Sequence, residues 1–375
     1  MIYWDNHTAT RPDAKVIEAM QEVWARANAA VQGSSPWSVL NARALEEART
    51  KVEATLNAAK VGTVRFTRGN DDAHRMLFDA LYERRIVQEG KRRVLISCRE
   101  EASVMREALR LKRKGVEVVR VPLDGEGSID KDAFAALIDG DTAWASIVSV
   151  DAQSGVIMPV DELASVCKLH GVPLHTDATC AIGKLPFDLE HIEADAVTFE
   201  GDRIYAPGHI GAMFVRESAA YLFEIWEEER VDTALAVALG KACEIVSDMI
   251  DFEAAEIRDV RDMFEEALAE LEGVRMLTPA RLRVPHTVAF ALEGVSAEYA
   301  ARKLAKAGIC LQTGYDVMRR NPYQTPLIDA LGEDVMLRHC VLSATLAHYN
   351  TDDDTDAVAR VIDEEMLPLR YNVAT

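Results

Sequence analysis

The feature that most constrains this chain is the alternation of helical and strand patterns over its first two hundred residues. "PDAKVIEAMQEVWARA" and "VLNARALEEARTKVEATLNAA" space their apolar residues as helices do. "TVRFT" reads as a strand and "DDAHRMLFDALYERRI" as a helix. "RRVLIS", "VEVVRVPL", "AWASIVSV", "VPLHTDA" and "DAVTFE" are short, near-continuous apolar runs. Between the first four lie the helical patterns "ASVMREALRLKRKG", "KDAFAALI" and "VDELASVCKLHG". Strands apolar on both faces with a helix between each pair predict a mostly parallel sheet covered on both sides. Ligands in such sheets sit beyond the carboxyl ends of the strands. A long helical pattern from about Thr233 to Leu271 then leads into a mixture of strands and helices, "HTVAFALEG" to "DDDTDAVARVIDEEM". The expected organisation is α/β: a large domain over residues 13–250, and a smaller α+β domain formed by residues 1–12 with 251–375.

Charge narrows the function. The formal net charge is −20, which opposes binding to nucleic acid or an anionic membrane through a general field and favours a basic partner. The six cysteines include no C-x-x-C pair, so no metal site is expected. "MIYWDNHTAT" lacks the basic region and apolar core of a signal peptide. No apolar run approaches the roughly 20 residues needed to span a bilayer. The expected location is the cytoplasm.

Several spaced motifs then point in one direction. "IYWDNHTATRPDAKVIEAM" resembles the Y-L-D-N-N-A-T-T segment of the cysteine desulfurases, and "GSSPW" their N-P-S-S-x-H turn. "VSVDAQSGVIMPVDELASVCKLHGVPLHTDATCAIGKLPFDL" resembles their N-N-E-x-G-x-x-x-P-I and H-T-D-A-x-Q-A-x-G-K. "RIYAPGHIGAMFVR" is similar to the segment that begins at their cofactor lysine. The resemblance covers nearly the whole chain. It implies the class V, fold type I architecture of pyridoxal-phosphate (PLP) enzymes, and a homodimer with sites near the subunit interface.

Position by position, the same resemblance implies altered chemistry. The family's Schiff-base lysine falls on Arg203, after Glu200, Gly201 and Asp202. A guanidinium stays protonated and forms no imine. Lys184 is the nearest lysine in sequence, and it matches a family lysine outside the Schiff-base role. The phosphate-binding threonine falls on Asp71 of "RGNDDA", where a carboxylate repels phosphate and caps the helix itself. The ring-stacking histidine falls on Glu101, the asparagine near the ring hydroxyl on Ala152, and the glutamine on Cys180. Asp177, the partner of the pyridinium nitrogen, is retained. The nucleophilic cysteine of the mobile loop falls on Val317, while Cys310 reads as an inert thiol in a buried strand. The substrate-carboxylate arginine falls on His348 of "TLAHY". The acidic "IWEEERVDTA" replaces the loop that contacts the neighbouring subunit's phosphate.

From these substitutions the sequence reading expects no cofactor and no catalytic residue. It expects Arg203 to pair with Asp177 or a neighbouring acid, because buried charges need partners. The expected function is that of a desulfurase-like pseudoenzyme: a protein-interaction, regulatory or scaffold protein of iron–sulfur or sulfur-transfer pathways. Its expected partners are a second copy or a homologue, and an iron–sulfur assembly protein. The alternatives are a class V enzyme holding PLP or pyridoxamine phosphate noncovalently, with His209, His348 and Cys180 as acid–base or nucleophilic groups, and a cysteine desulfurase with altered chemistry.

Overall fold

The computed structural model describes residues 1–26, 31–223 and 231–369. Strand β1 (Ile2–Tyr3) opens the chain, and helices α1 (Ala14–Trp24) and α2 (Pro36–Thr55) follow. Ser35 caps α2 by accepting from the Ser38 amide, with Pro36 in the first turn. The main sheet then forms from β2 (Gly62–Thr67), β3 (Arg93–Ser97), β4 (Glu117–Val121), β5 (Thr142–Val148), β6 (Leu174–Asp177), β7 (Ala196–Glu200) and β8 (Gly211–Arg216). Its order is β2-β8-β7-β6-β5-β3-β4. Pairings from β7 through β4 are parallel, and β8 runs antiparallel to both its neighbours. The predicted mostly parallel sheet is therefore present, with one antiparallel strand near its edge.

The connecting helices are α3 (Asn70–Leu81), α4 (Ala102–Arg113), α5 (Lys131–Leu137) and α6 (Val160–His170). The helix expected over residues 71–86 is α3 followed by a wider π turn, Tyr82–Gln88. Buried Arg85 in that turn donates to the carbonyls of Ala143 and Gly171.

Helix α7 (Thr233–Ala269) joins two cores. Ala234, Leu239, Cys243 and Val246 pack with the main-sheet residues, whereas Ile257, Val260, Phe264 and Leu268 pack with the C-terminal ones. Gly240 lets α7 lie close on α2, since a Cβ there would come 2.8 Å from the Ala48 Cα. The C-terminal part comprises β9 (Val274–Met276), β10 (Thr287–Leu292), α8 (Ala297–Lys306), β11 (Ile309–Cys310), β12 (Gln312–Thr313), α9 (Gly314–Arg320), α10 (Leu327–Leu331), β13 (Val341–Thr345) and α11 (Asp352–Glu365); β10, α8, β13 and α11 supply the second core, while α10 packs in a smaller cluster with Leu277 and Ala289. Its antiparallel sheet has the order β12-β13-β10-β9. Strand β1 pairs with β11, and Trp4 is buried against Phe264 at 4.8 Å between ring centroids. Each fully buried Val, Leu or Phe side chain contributes about 1.5–3 kcal/mol, so these contacts fasten the first residues of the chain to α7 and the C-terminal part.

Candidate functional site

The carboxyl ends of β3, β5, β6 and β7 deliver Arg99, Asp151, Asp177 and Glu200 to one side of the sheet, as parallel topology requires. Asp177 ends β6 and is fully buried. The Thr179 backbone N–H and hydroxyl donate to its Oδ1 at 2.9 and 2.6 Å, and the Asn70 amide donates to Oδ2 at 3.2 Å. His74 Nε2 lies 3.6 Å away. Burial raises the Asp177 carboxyl above its ordinary value, against the hydrogen bonds and the charge of Arg203. Burial likewise holds His74 down at about 3, so its neutral ring bridges Ser103 and Thr198 at 2.8 Å each.

Arg203 follows β7 in a short 3₁₀ turn, Gly201–Arg203. Its guanidinium does not pair with Asp177. It lies 3.4 Å from the Asp202 carboxylate, 4.0 Å from Glu101 and 3.6 Å from Cys180 Sγ. The expectation of a neighbouring acid thus holds in its second form. The pairing is loose, because Arg203 Nε and Asp202 Oδ1 are close but lack hydrogen-bond alignment. Burial pushes the Cys180 thiol up to about 11, despite Arg203 and Lys184. The Lys184 amine sits behind the turn, 3.5 Å from the Arg203 carbonyl oxygen, and burial lowers its pKa.

Asp71 is not where the sequence reading put it. Its carboxylate is solvent-exposed and pairs with Arg106 on the surface. The start of α3 is met by Glu200 instead. Gly69 stands at φ 94°, and a Cβ on it would come 2.7 Å from Glu200 Oε1. The Asn70 backbone N–H donates to the same carboxylate. An anion at a helix N-terminus is the arrangement the helix dipole favours, and here the chain supplies it. Burial, with Asp202 close by, pushes Glu200 up to about 7.

Glu101, Ala152, Arg203 and Val317 come together around one cavity of about 150 Å³. No lysine or cysteine is among the described residues lining it. Val317 lies in helix α9, where the resemblance implies a loop. His348 is elsewhere: its ring packs against Tyr205 at 4.5 Å between centroids, tilted by 60°, and its Nδ1 is 3.8 Å from Glu253, which accepts from the Tyr205 hydroxyl. Hydrogen bonding to Glu253 raises its pKa. Cys310 is half-buried in β11 rather than in a core strand. Residues 225–230, six of the ten in "IWEEERVDTA", lie outside the described residues.

The sequence reading missed the best-formed polar contact of the site. Arg99 and Asp151 are both fully buried and form a two-point ion pair, at 2.7 and 3.3 Å. Arg99 also donates to the Thr325 carbonyl at 2.7 Å and to Gln153 Oε1 at 2.9 Å. Burial works against the Asp151 carboxylate, but Arg99 and the donors from Ser154 hold its pKa below the ordinary value. The signal was present in "VDAQSG", where Asp151 and Gln153 stand at the first asparagine and the glutamate of N-N-E.

The sequence profile of class-V aminotransferases matches residues 2–228 and 230–358. The chain belongs to that family. It is 29% identical to a cysteine desulfurase of Sinorhizobium fredii over 379 residues, covering 98% of this chain and 97% of the relative. It is 28% identical to one from Rhodobacter capsulatus, again covering 98% of this chain and 97% of the relative. Among solved structures, a NifS-like protein superposes with a TM-score of 0.87 at 23% identity, covering 97% of this chain and 98% of the other. A NifS-like protein from Rickettsia africae superposes with a TM-score of 0.84 at 16% identity over the full length of both chains. These two likenesses support the fold.

Membership corrects one expectation. The substitutions led the sequence reading to assign no cofactor, but the family and its desulfurase members are PLP-dependent, so PLP is the cofactor this class of site is built for. The local residues fit it unevenly. Asp177 stands ready at the strand end, whereas Glu200 already faces the helix start and a guanidinium takes the place of the amine. PLP held as its covalent imine at position 203 does not fit this chain.

Proposed function

We propose that this protein is a cysteine-desulfurase-like pseudoenzyme. It releases no sulfur from cysteine by the family's route and acts as an interaction or regulatory protein in sulfur transfer or iron–sulfur assembly. The observation that carries the reading is the cavity itself: a guanidinium at 203 beside Glu101 and Asp202, Val317 in a helix, and no amine or thiol on the wall. Covalent catalysis of this class needs a lysine amine and a nucleophilic thiolate, and both positions are filled by groups that can do neither. The sheet and both cores are well formed, so on this reading a surface rather than a reaction accounts for retaining the fold. We place the protein in the cytoplasm, as a dimer with itself or a homologue, with the large domain over residues 13–250 and the small one over 1–12 and 251–375. Among the described residues no helix is long and apolar enough to cross a membrane.

The test is sulfide release from L-cysteine by purified protein supplied with PLP, against a protein-free control. The reading predicts equal rates in the two. Sulfide in excess of one equivalent per chain would refute it.

A further inference from the structure

The acidic charge of the chain is concentrated on one pair of helices. Between Asp248 and Glu266, α7 carries eight acids against Arg258 and Arg261, and α11 carries seven against Arg360. More than half of the net charge of −20 therefore lies on these two segments. The helices pack on each other over the core that holds Ile257, Val260, Val358 and Ile362. Between them runs a groove of about 500 Å³, floored by Ile257 and Val260. Glu256 and Asp259 wall it from α7, and Asp352 and Asp353 from α11. Among the described residues no ion pair holds any of these four carboxylates. The ion pairs along this part of α7 go to Asp262, Glu265 and Glu253 instead. The start of α11 favours Asp352 and Asp353. Glu256 and Asp259 stand in the middle of α7, where neighbouring like charges repel.

The same flank of α7 is also apolar at both ends. Phe252 is 61% exposed and Met263 42%. Steps of four, three and four residues lead from Phe252 through Glu256 and Asp259 to Met263, so helical geometry sets all four on one flank, beside the groove. At 1.5 Å per residue the two apolar side chains stand about 16 Å apart along the axis. Large exposed apolar groups rimmed by charge mark a protein-binding face. The chemistry of the occupant follows from what each candidate would leave unmet. A bare cation neutralises the carboxylates but leaves Phe252 and Met263 in water. An uncharged apolar segment covers those two but buries the carboxylates unpaired. A segment that is both basic and apolar meets the whole flank and relieves the repulsion between Glu256 and Asp259.

We infer that this flank of α7, with the groove beside it, docks a lysine- or arginine-rich amphipathic helix of a partner protein. The docked helix carries two apolar anchors about three turns apart, with basic residues between them, as the counterpart of Phe252, Glu256, Asp259 and Met263. The inference rests on reading this chain as an interaction protein, and adds the face used and the chemistry of the partner. The face shares no lining residue with the cavity around Arg203.

The experiment is fluorescence anisotropy with the full chain and a labelled, alanine-rich helical peptide that carries leucine, lysine, lysine and leucine at steps of four, three and four residues. A scrambled peptide of the same composition is the control. The first peptide is expected to bind saturably at one site per chain, and the scrambled one at least tenfold more weakly. Phe252→Ser and Asp259→Lys are each expected to weaken the first peptide at least tenfold, with the fold confirmed by circular dichroism. Asp132→Lys, on α5 and outside this face, makes the same change in net charge and is expected to leave the affinity unchanged. The inference is overturned by absence of saturable binding up to about 100 μM, by equal binding of the scrambled peptide, or by a folded Phe252→Ser of unchanged affinity. It is also overturned if Asp132→Lys weakens binding as much as Asp259→Lys, which would leave only the general field of the chain. Conversion of a dimer to a monomer by Phe252→Ser, read by light scattering, would assign the face to a second copy and overturn it too. The assay reads no sulfide, so a failure here and a failure of the pseudoenzyme reading are told apart.

Discussion

Arg99 and Arg203 line the same cavity and are held in opposite ways. Arg99 is fully buried, pairs with Asp151 at two points and donates to Thr325 and Gln153. Arg203 makes contacts of 3.4 to 4.0 Å and keeps an unpartnered Nε. A buried guanidinium is tolerated when its fork is filled. Arg99 therefore works as a lock between β3 and the Asn321–Thr325 segment, and Arg203 as a charge with capacity to spare. Two arginines in one pocket thus divide into one that is tightly held and one that is loosely held.

Removing the lock should have the largest effect. Arg99→Met leaves the Asp151 carboxylate buried and unpaired, and should cost about 3–5 kcal/mol, read as a lower midpoint in urea unfolding. Hydrogen exchange should rise at Thr325 first, because its amide donates to the Cys98 carbonyl beside the lock. A loss below about 1 kcal/mol would erase the contrast between the arginines. Arg203→Ala should cost less, about 1 kcal/mol, because its ion pairs are long and only partly buried.

Glu200 gives a smaller effect, visible as pH dependence. Its folded pKa of about 7 lies above the ordinary 4.5. The stability associated with its protonated form is complete below 4.5 and is lost as pH rises through about 7. Buried His7 and His74 act oppositely. Burial depresses both to about 3, so their contribution is complete above 6.5 and fades as pH falls. Other buried groups shift as well, with Glu100 and Asp177 raised and His175 and His286 lowered by burial, and the wild-type profile sums them all. Glu200→Gln should remove only the Glu200 contribution, so the stability difference between variant and wild type should grow from pH 5 to 7. A parallel offset at all pH values would contradict this assignment.

The strands and helices were legible because their apolar spacing is local information, and the resemblance placed Glu101, Ala152, Arg203 and Val317 around what proved to be one cavity. Asp71 and Glu200 were harder. Which carboxylate meets the start of α3 depends on a side chain from β7 crossing to Gly69, about 130 residues away. The lock was hidden for a similar reason. Arg99 in "CREE" looks like one of a run of surface charges until the sheet brings Asp151 beside it. Sequence spacing showed which positions had changed, and tertiary contact decided which charges pair.

The central claim is that this pocket offers no amine for a covalent imine. It is tested most directly by treating the protein with PLP, reducing with borohydride and mapping the pyridoxyl group by peptide mass spectrometry. The account predicts no stoichiometric adduct on any lysine near the cavity. A stoichiometric adduct on Lys184, whose amine lies 3.5 Å from the Arg203 carbonyl, would contradict it.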